Sequence, residues 1–271
     1  MVVNGRKLAD EILAGLKKEF LKLPPLSAGA VLVGSNPASV SFLKQKSKTA
    51  EKIGVNFKIF KFAANITTGK LLKEIAQLNK NKNINGIIVQ LPLPKHINTE
   101  KILVAINPKK DIDALSPKPS VFAPTVEAVK FVFRKYKILL ENKNILVVGY
   151  GRLVGQPIYA WLSRSVSKIK IIDVKDENRL LALAKRADII ISGVGKADLI
   201  KGIMIKRDAV LVDFGFSRKN GKIRGDFAMP AGRQDFESCA KKAKLITPVP
   251  GGMGPIMVAM LFKNLFKLNK K

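Results

Sequence analysis

The residues best placed to do chemistry in this chain lie where apolar runs end. The stretch VGSNPASVSFLKQKSK (33–48) leaves such a run through a turn and enters a helical pattern. Phe42 and Lys46 stand four residues apart there, so one helical face carries a ring and an amine together. That face is either solvated surface or the seat of a catalytic lysine. A lysine serves as a general acid or base near neutral pH only where burial or neighbours lower its pKa toward about 7–8. In VQLPLP (89–94) the polar Gln90 ends an apolar run and a rigid proline loop follows. DID (111–113) sets carboxylates into a basic chain, and TPVPGGMGP (247–255) is too rich in proline and glycine for regular structure. The latter suits a close pass by a ligand.

A second constellation follows the apolar run ILVV. GYGRLVG holds Gly149, Tyr150, Gly151, Arg152 and Gly155 and opens the helical stretch VGQPIYAWL. A strand before and a helix after are the context a dinucleotide fingerprint requires. The glycines let backbone approach a pyrophosphate, and the helix start supplies N–H groups and a positive dipole end. A tight turn with no ligand is the plainer alternative. Asp173 ends the next apolar run, 18 residues beyond Gly155. A carboxylate there accepts hydrogen bonds from an adenosine ribose and repels a 2′-phosphate, which taken alone favours NAD over NADP. Lys170 and Lys175 would soften that repulsion, and Arg152 could reach a phosphate. Asp213 and Asp226, in VDFG and RGDF, follow apolar stretches and read as acids that shape loops rather than perform chemistry.

The elements that must position these residues alternate between strand and helix. SAGAVLV (27–33), VNFKIFKF (55–62) and INGIIV (84–89) read as strands, with helical patterns at 6–21, 37–53 and 68–79. Strand–helix alternation implies a parallel sheet covered by helices. The proline-rich, aperiodic segment 107–124 marks a domain junction. After the helical stretch TVEAVKFVFRKY come NILVVG (144–149), KIKIID (168–173), ADIIIS (187–192), AVLVDF (209–214) and AKLIT (243–247), each an apolar run of the kind buried on both faces of a sheet. Residues 255–268 form one amphipathic helix. The expected fold class is α/β: an N-terminal domain over 1–120, a Rossmann-type domain over 121–271, and a cleft between them. Helix 255–268 is expected to return to the first domain. Trp161 reads as core.

Composition narrows the class of protein. With 47% hydrophobic residues in 271, a sizeable core is expected. No apolar run approaches the ~18 residues of a membrane span, and charges break the N-terminal runs, so neither membrane helix nor signal peptide is expected. One cysteine, Cys239, excludes an internal disulfide and fits a reducing, cytoplasmic compartment. The single histidine, His96, has no evident partner and reads as loop surface; with one His and one Cys, no metal site is expected. Forty-nine Lys and Arg against 20 Asp and Glu give a net charge of +29. The lysines are scattered, and no zinc-finger, RRM or KH pattern appears. Solvated surface with steering of small anions is the expectation, and specific nucleic-acid binding is not.

VGSNPAS (33–39), Lys46, GIIVQLPLP (86–94), DID, VGQP (154–157), GD (225–226) and TPVPGG (247–252) together resemble the bifunctional methylenetetrahydrofolate dehydrogenase/cyclohydrolase family, in that family's order and over nearly the whole chain. The resemblance implies oxidation of 5,10-methylenetetrahydrofolate to the methenyl form with a nicotinamide cofactor, NADP by family. Hydrolysis to 10-formyltetrahydrofolate then follows in the same pocket. It implies Lys46 as the catalytic lysine, Gln90 as its partner and Asp113 as the carboxylate that grips the pterin. Phe42, Val89, Leu91, Pro250 and Gly251 would contact substrate, and Gly149, Tyr150, Gly151, Arg152, Gly155, Asp173, Val174 and Phe216 the cofactor. It also implies a homodimer through the Rossmann domain. The chemistry agrees: a neutral amide holds an amine without stabilising its charge as a carboxylate would. Asp113 suits bidentate pairing with an amino group beside a ring N–H.

The chain departs from the family's pattern in places. Phe42 stands where tyrosine is usual, keeping the ring and losing a hydroxyl. Asp113-Ala114 replaces Asp-Gly, and Ala123-Pro124-Thr125-Val126 replaces Pro-Cys-Thr-Pro. Gly151 replaces serine, Asp173-Val174 replaces His-Ser, and Met257 replaces threonine. Gly151, Asp173, Val174 and Met257 surround the cofactor and bear on its choice. Two alternatives follow. A cyclohydrolase with weakened dehydrogenase activity is motivated by the altered loop. A nucleic-acid-binding protein on the same scaffold, motivated by the charge, predicts steeply salt-dependent affinity without turnover.

Overall fold

The structure is a computed structural model that describes residues 1–173, 177–219, 221–228 and 239–270. The chain forms two compact units. One comprises Asp10–Pro124 and Val258–Lys271 and is called the lysine unit below; the other, the glycine-loop unit, comprises Met1–Ala9 and Thr125–Met257. The division falls within the helices α1 (Gly5–Phe20) and α8 (Met253–Asn269).

In the lysine unit β1 (Ser27–Val33), β2 (Asn56–Phe62) and β3 (Gly86–Val89) make a parallel sheet in the order β2-β1-β3. Ala30 pairs with Ile59 on one side and Ile88 on the other. β1 is buried at every position, as its unbroken run of small and apolar residues requires of a central strand. Val31, Leu71, Ile75, Ile87 and Ile102 lie in the core beneath α3 (Thr68–Lys80) and α4 (Thr99–Val104). The chain passes from β1 to β2 on one side and then crosses back to β3 on the other side of β1. The carboxyl end of such a strand is where α/β sheets place ligands.

The glycine-loop unit holds five parallel strands in the order β10-β7-β6-β4-β5. These are β4 (Ile145–Val148), β5 (Ile169–Ile172), β6 (Ile189–Ser192), β7 (Val210–Asp213) and β10 (Leu245–Ile246). Helices α5 (Pro124–Lys135), α6 (Gly155–Leu162) and α7 (Glu177–Ala184) accompany them, with an antiparallel hairpin of β8 (Ser217–Lys219) and β9 (Lys222–Arg224). β4, β6 and β7 are buried throughout. The order again reverses, at β4, between β5 and β6.

The apolar runs outlast their ladders by a residue or two, because flanking positions serve turns. α4, α7 and the hairpin were not legible: six- and eight-residue helices complete barely two turns, too few for a period to emerge. Trp161 is a correction. It is half-buried rather than core, with the Lys130 ammonium 5.5 Å from its ring centroid, a cation–π geometry.

Candidate active site

Local sequence chemistry fixes the helix that carries Lys46. Gly34 turns the chain at φ +75°, and the Asn36 side chain caps α2 (Pro37–Lys52) by accepting from the N–H of Ala38 and Ser39 at 3.0 and 3.1 Å. Pro37 occupies the first helical position, where a missing N–H costs nothing. α2 buries Ser39, Leu43 and Ala50. Lys46, three residues past Leu43, borders that stripe and is half-buried, whereas Lys44 and Lys48 turn to solvent. Phe42 lies one turn earlier on the face of Lys46, half-buried.

Three elements bring their groups together at this lysine. Gln90, 8% exposed, follows β3, and its N–H donates to Val31 O at 3.0 Å, prolonging the ladder. Its Nε2 donates to Leu91 O at 2.7 Å, which leaves Oε1 to face Lys46 Nζ at 3.4 Å. Asp113 Oδ2 stands 3.6 Å from the same Nζ, with both side chains largely buried. Sequence reasoning gave Lys46 a neutral neighbour and reserved Asp113 for substrate; the structure pairs the carboxylate with the lysine as well. Val89 is buried and Leu91 half-buried beside Gln90. Pro250 and Gly251 belong to the glycine-loop unit, Pro250 exposed and Gly251 at φ +98°.

The turn bearing Asp113 is held from several sides. Asp111 is fully buried, and its Oδ2 accepts the Ser116 N–H at 2.7 Å. Burial raises the Asp111 pKa above the ordinary carboxylate value, with hydrogen bonds at Ser116 and Leu115 opposing that rise. Ala114 takes φ +55°, the left-handed region. Buried Asn264 of α8 donates to Ile112 O at 3.0 Å and Phe122 O at 2.9 Å. Gly86 of β3 has no room for a side chain, since a Cβ would lie 2.8 Å from both Ile112 and Leu265. Asn264 and Ser116 escaped sequence reasoning. A polar residue inside the apolar helix 255–268 is the signal that points to Asn264.

In the other unit, Gly149 turns at φ +90° directly after β4. A Cβ on Gly155 would collide with the Gly149 carbonyl, so the helix start and the strand end touch backbone to backbone. Val154 precedes α6 and offers no side-chain cap to its first turn. These features fit a pyrophosphate: the glycine cradle gives close approach and α6 presents N–H groups. Gly151 is exposed, Arg152 half-buried, and Tyr150, 53% exposed, meets Tyr159 edge-on at 6.3 Å. Asp173 is exposed at the end of β5, and Phe216 is exposed after β7. Val174 lies outside the described residues. His96 is exposed, with Nε2 3.0 Å from Ile66 O. No group of three or more His, Cys, Asp and Glu able to hold a metal exists among the described residues.

Two buried acids lie between the loops that follow β6 and β7. Asp213 is 2% exposed and Asp226 fully buried. Burial, joined by the charge of Asp226, pushes the Asp213 pKa up from 3.8 to about 7 against three backbone N–H groups that favour ionisation.

The chain is similar to known proteins along its whole length. Residues 3–113 match the tetrahydrofolate dehydrogenase/cyclohydrolase catalytic domain, and residues 123–271 match the NAD(P)-binding domain of the same family. The bifunctional protein FolD of Nautilia profundicola is 40% identical over 99% of this chain and 97% of its own length. The crystal structure of the bifunctional FolD methylenetetrahydrofolate dehydrogenase/cyclohydrolase from Campylobacter jejuni superposes with a TM-score of 0.91 at 34% identity, covering 99% and 98% of the two chains. The Trypanosoma brucei enzyme, solved with NADP and an inhibitor, gives 0.91 at 28% identity over 99% and 96%. Two domain matches that together span both units, carried by a chain that assembles Lys46, Gln90 and Asp113 in one unit and a glycine cradle in the other, place this protein in the tetrahydrofolate dehydrogenase/cyclohydrolase family.

Proposed function

We propose that this protein oxidises 5,10-methylenetetrahydrofolate to the 5,10-methenyl form with a nicotinamide dinucleotide, and hydrolyses that product to 10-formyltetrahydrofolate. The observation that carries this reading is the convergence of Lys46 Nζ on Gln90 Oε1 at 3.4 Å and Asp113 Oδ2 at 3.6 Å within a chain of this family. Both bonds are long for direct hydrogen bonds, as catalytic contacts are before substrate tightens them.

Each residue then has a task. Asp113 accepts the paired donors on the pterin edge, the amino group beside a ring N–H, and so orients the ring. Phe42 lies against the substrate ring, and Val89 and Leu91 contact substrate. In hydrolysis, water adds to the carbon bridging N5 and N10. One water proton ends on N5 as the carbon–N5 bond breaks, the other leaves to solvent, and the formyl group stays on N10. Lys46 is the group that carries the proton, and Gln90 Oε1 holds its amine in place. Because the pterin would claim oxygens of the carboxylate that now faces Lys46, substrate occupancy changes the lysine's surroundings. When bound, the nicotinamide supplies the hydride acceptor for the oxidation. The protein's part in that step is to orient the two partners and to keep the site free of competing water.

Gly149, Tyr150, Gly151, Arg152, Gly155 and Phe216 would hold the dinucleotide, together with Val174. Asp173, exposed at the end of β5, supports NAD over NADP, because a carboxylate at such a strand end accepts from a ribose and repels a 2′-phosphate. A homodimer is supported by β5, the outermost strand of its sheet, whose Ile169 and Ile171 are only part-buried. The single cysteine, Cys239, is buried and can form no disulfide within the chain, which supports a reducing compartment such as the cytoplasm.

The test is a set of assays on purified protein: methylene oxidation with NAD and with NADP separately, and methenyl hydrolysis without cofactor. Hydrolysis, together with a higher kcat/KM for NAD, is the expected outcome. Hydrolysis with neither cofactor reduced would reduce the protein to a cyclohydrolase. Absence of both activities would sink the proposal.

A further inference from the structure

Asp213 and Asp226 take no part in the chemistry above, yet both are buried and both organise backbone. Asp226 Oδ2 accepts from Ser192 Oγ and the Val194 N–H, each at 2.7 Å; its Oδ1 accepts from the N–H groups of Gly195 and Lys196, each at 2.8 Å. Four donors fill the acceptor capacity of a carboxylate. This one side chain therefore dictates the path of 193–196, the segment after β6. Asp213 accepts the N–H of Gly215, Asp226 and Phe227 at 2.7, 3.2 and 3.0 Å, and so fixes the stretch that delivers Asp226. The two interlock: a Cβ on Gly215 would strike the Asp226 carboxyl, and one on Gly225 the Asp213 carboxyl.

The pinned segment borders the cradle. A Cβ on Gly149 would meet Val194 at 3.0 Å and the Gly193 carbonyl oxygen at 3.4 Å. One on Gly195 would meet the Phe216 oxygen at 3.2 Å. Segment 193–196 thus spans from the glycine loop to the loop after β7. A trans peptide points its N–H and C=O in opposite directions. With the N–H groups of 194, 195 and 196 all turned toward Asp226, the carbonyls of Gly193, Val194 and Gly195 turn away from it. That leaves a short row of acceptors with no donor among them.

We propose that Asp226, held in place by Asp213, is a positioning residue for the nicotinamide end of the cofactor: it aims this row of carbonyls at the carboxamide N–H groups of the base. The inference rests on the dinucleotide reading of the glycine-loop unit and names the part of the ligand that the segment recognises.

The test measures dissociation constants by calorimetry for NAD and for its 3-acetylpyridine analogue, in which a methyl ketone removes the carboxamide donors. Methenyl hydrolysis without cofactor serves as a check on the fold. Wild type should bind NAD about tenfold more tightly than the analogue, the scale of one good hydrogen bond to a buried partner. Asp226→Asn should weaken NAD binding about tenfold and analogue binding by no more than about twofold, at unchanged hydrolysis. Ser192→Ala, which removes one of the four donors, should give the same pattern at about threefold, and decides the matter alone if Asp226→Asn does not fold. Variants that keep the wild-type preference, or lose both ligands equally, overturn the proposal. If wild-type protein binds neither dinucleotide, the dinucleotide reading itself fails and the proposal falls with it.

Discussion

Asp173 is the residue at which cofactor choice can be read most directly. Two charges about 4 Å apart at a solvated surface interact by about 1 kcal/mol per unit pair, and a 2′-phosphate carries nearly two charges. Asp173→Ser should therefore raise kcat/KM with NADP by about ten- to thirtyfold and leave NAD within a few-fold. An unchanged NADP value would show that the side chain does not face the ribose. At this scale the sequence was a good guide to residue types but a poor one to distances. Lys46 stands apart from Lys44 and Lys48 because helical rotation sets it beside buried Leu43, which periodicity discloses. Its approach to Asp113 is set by how the turn after α4 folds toward α2, and no local pattern encodes that.

At the scale of elements, two turns carry predictions. Ala114 sits at φ +55° where an L side chain is strained by about 1 kcal/mol, next to the residue proposed to grip the pterin. Ala114→Gly should raise unfolding stability by up to about 1 kcal/mol, read by denaturant melts, because relief of strain outweighs the extra freedom of the unfolded chain. A loss of stability would mean that the turn tolerates the methyl without strain. The second turn region holds Asp213, whose folded pKa of about 7 lies above the ordinary 3.8. The folded state then binds the proton more tightly than the unfolded one. The stabilisation from this group is complete below about pH 3.8, declines as pH rises toward about 7, and is constant above that. Unfolding free energy of wild type relative to Asp213→Asn should fall by a few kcal/mol across that window. A difference independent of pH would contradict the raised pKa. Neither turn's support was readable locally: Asn264 reaches Ile112 from 152 residues away. The strands, by contrast, were legible because apolar runs bounded by turn residues have few other places to go.

For the whole molecule, the order of motifs along the chain announced two α/β units, and both parallel sheets formed as strand–helix alternation requires. The division of the chain inside α1 and α8 was less accessible, since periodicity identifies a helix but not the core its turns join. The net charge of +29 belongs to this scale too, and should raise the local concentration of anionic ligands in a way that salt weakens. The residues proposed for hydrolysis lie in the lysine unit and the glycine cradle in the other, so the two functions should separate by substitution. The most direct measurement is methenyl-tetrahydrofolate hydrolysis by Lys46→Met beside wild type, with dinucleotide affinity and melting temperature recorded on the same preparations. Loss of the proton carrier should lower the hydrolysis rate by about 10²–10⁴-fold while affinity and melting stay at wild-type values. Hydrolysis at the wild-type rate by a folded Lys46→Met protein would contradict the account.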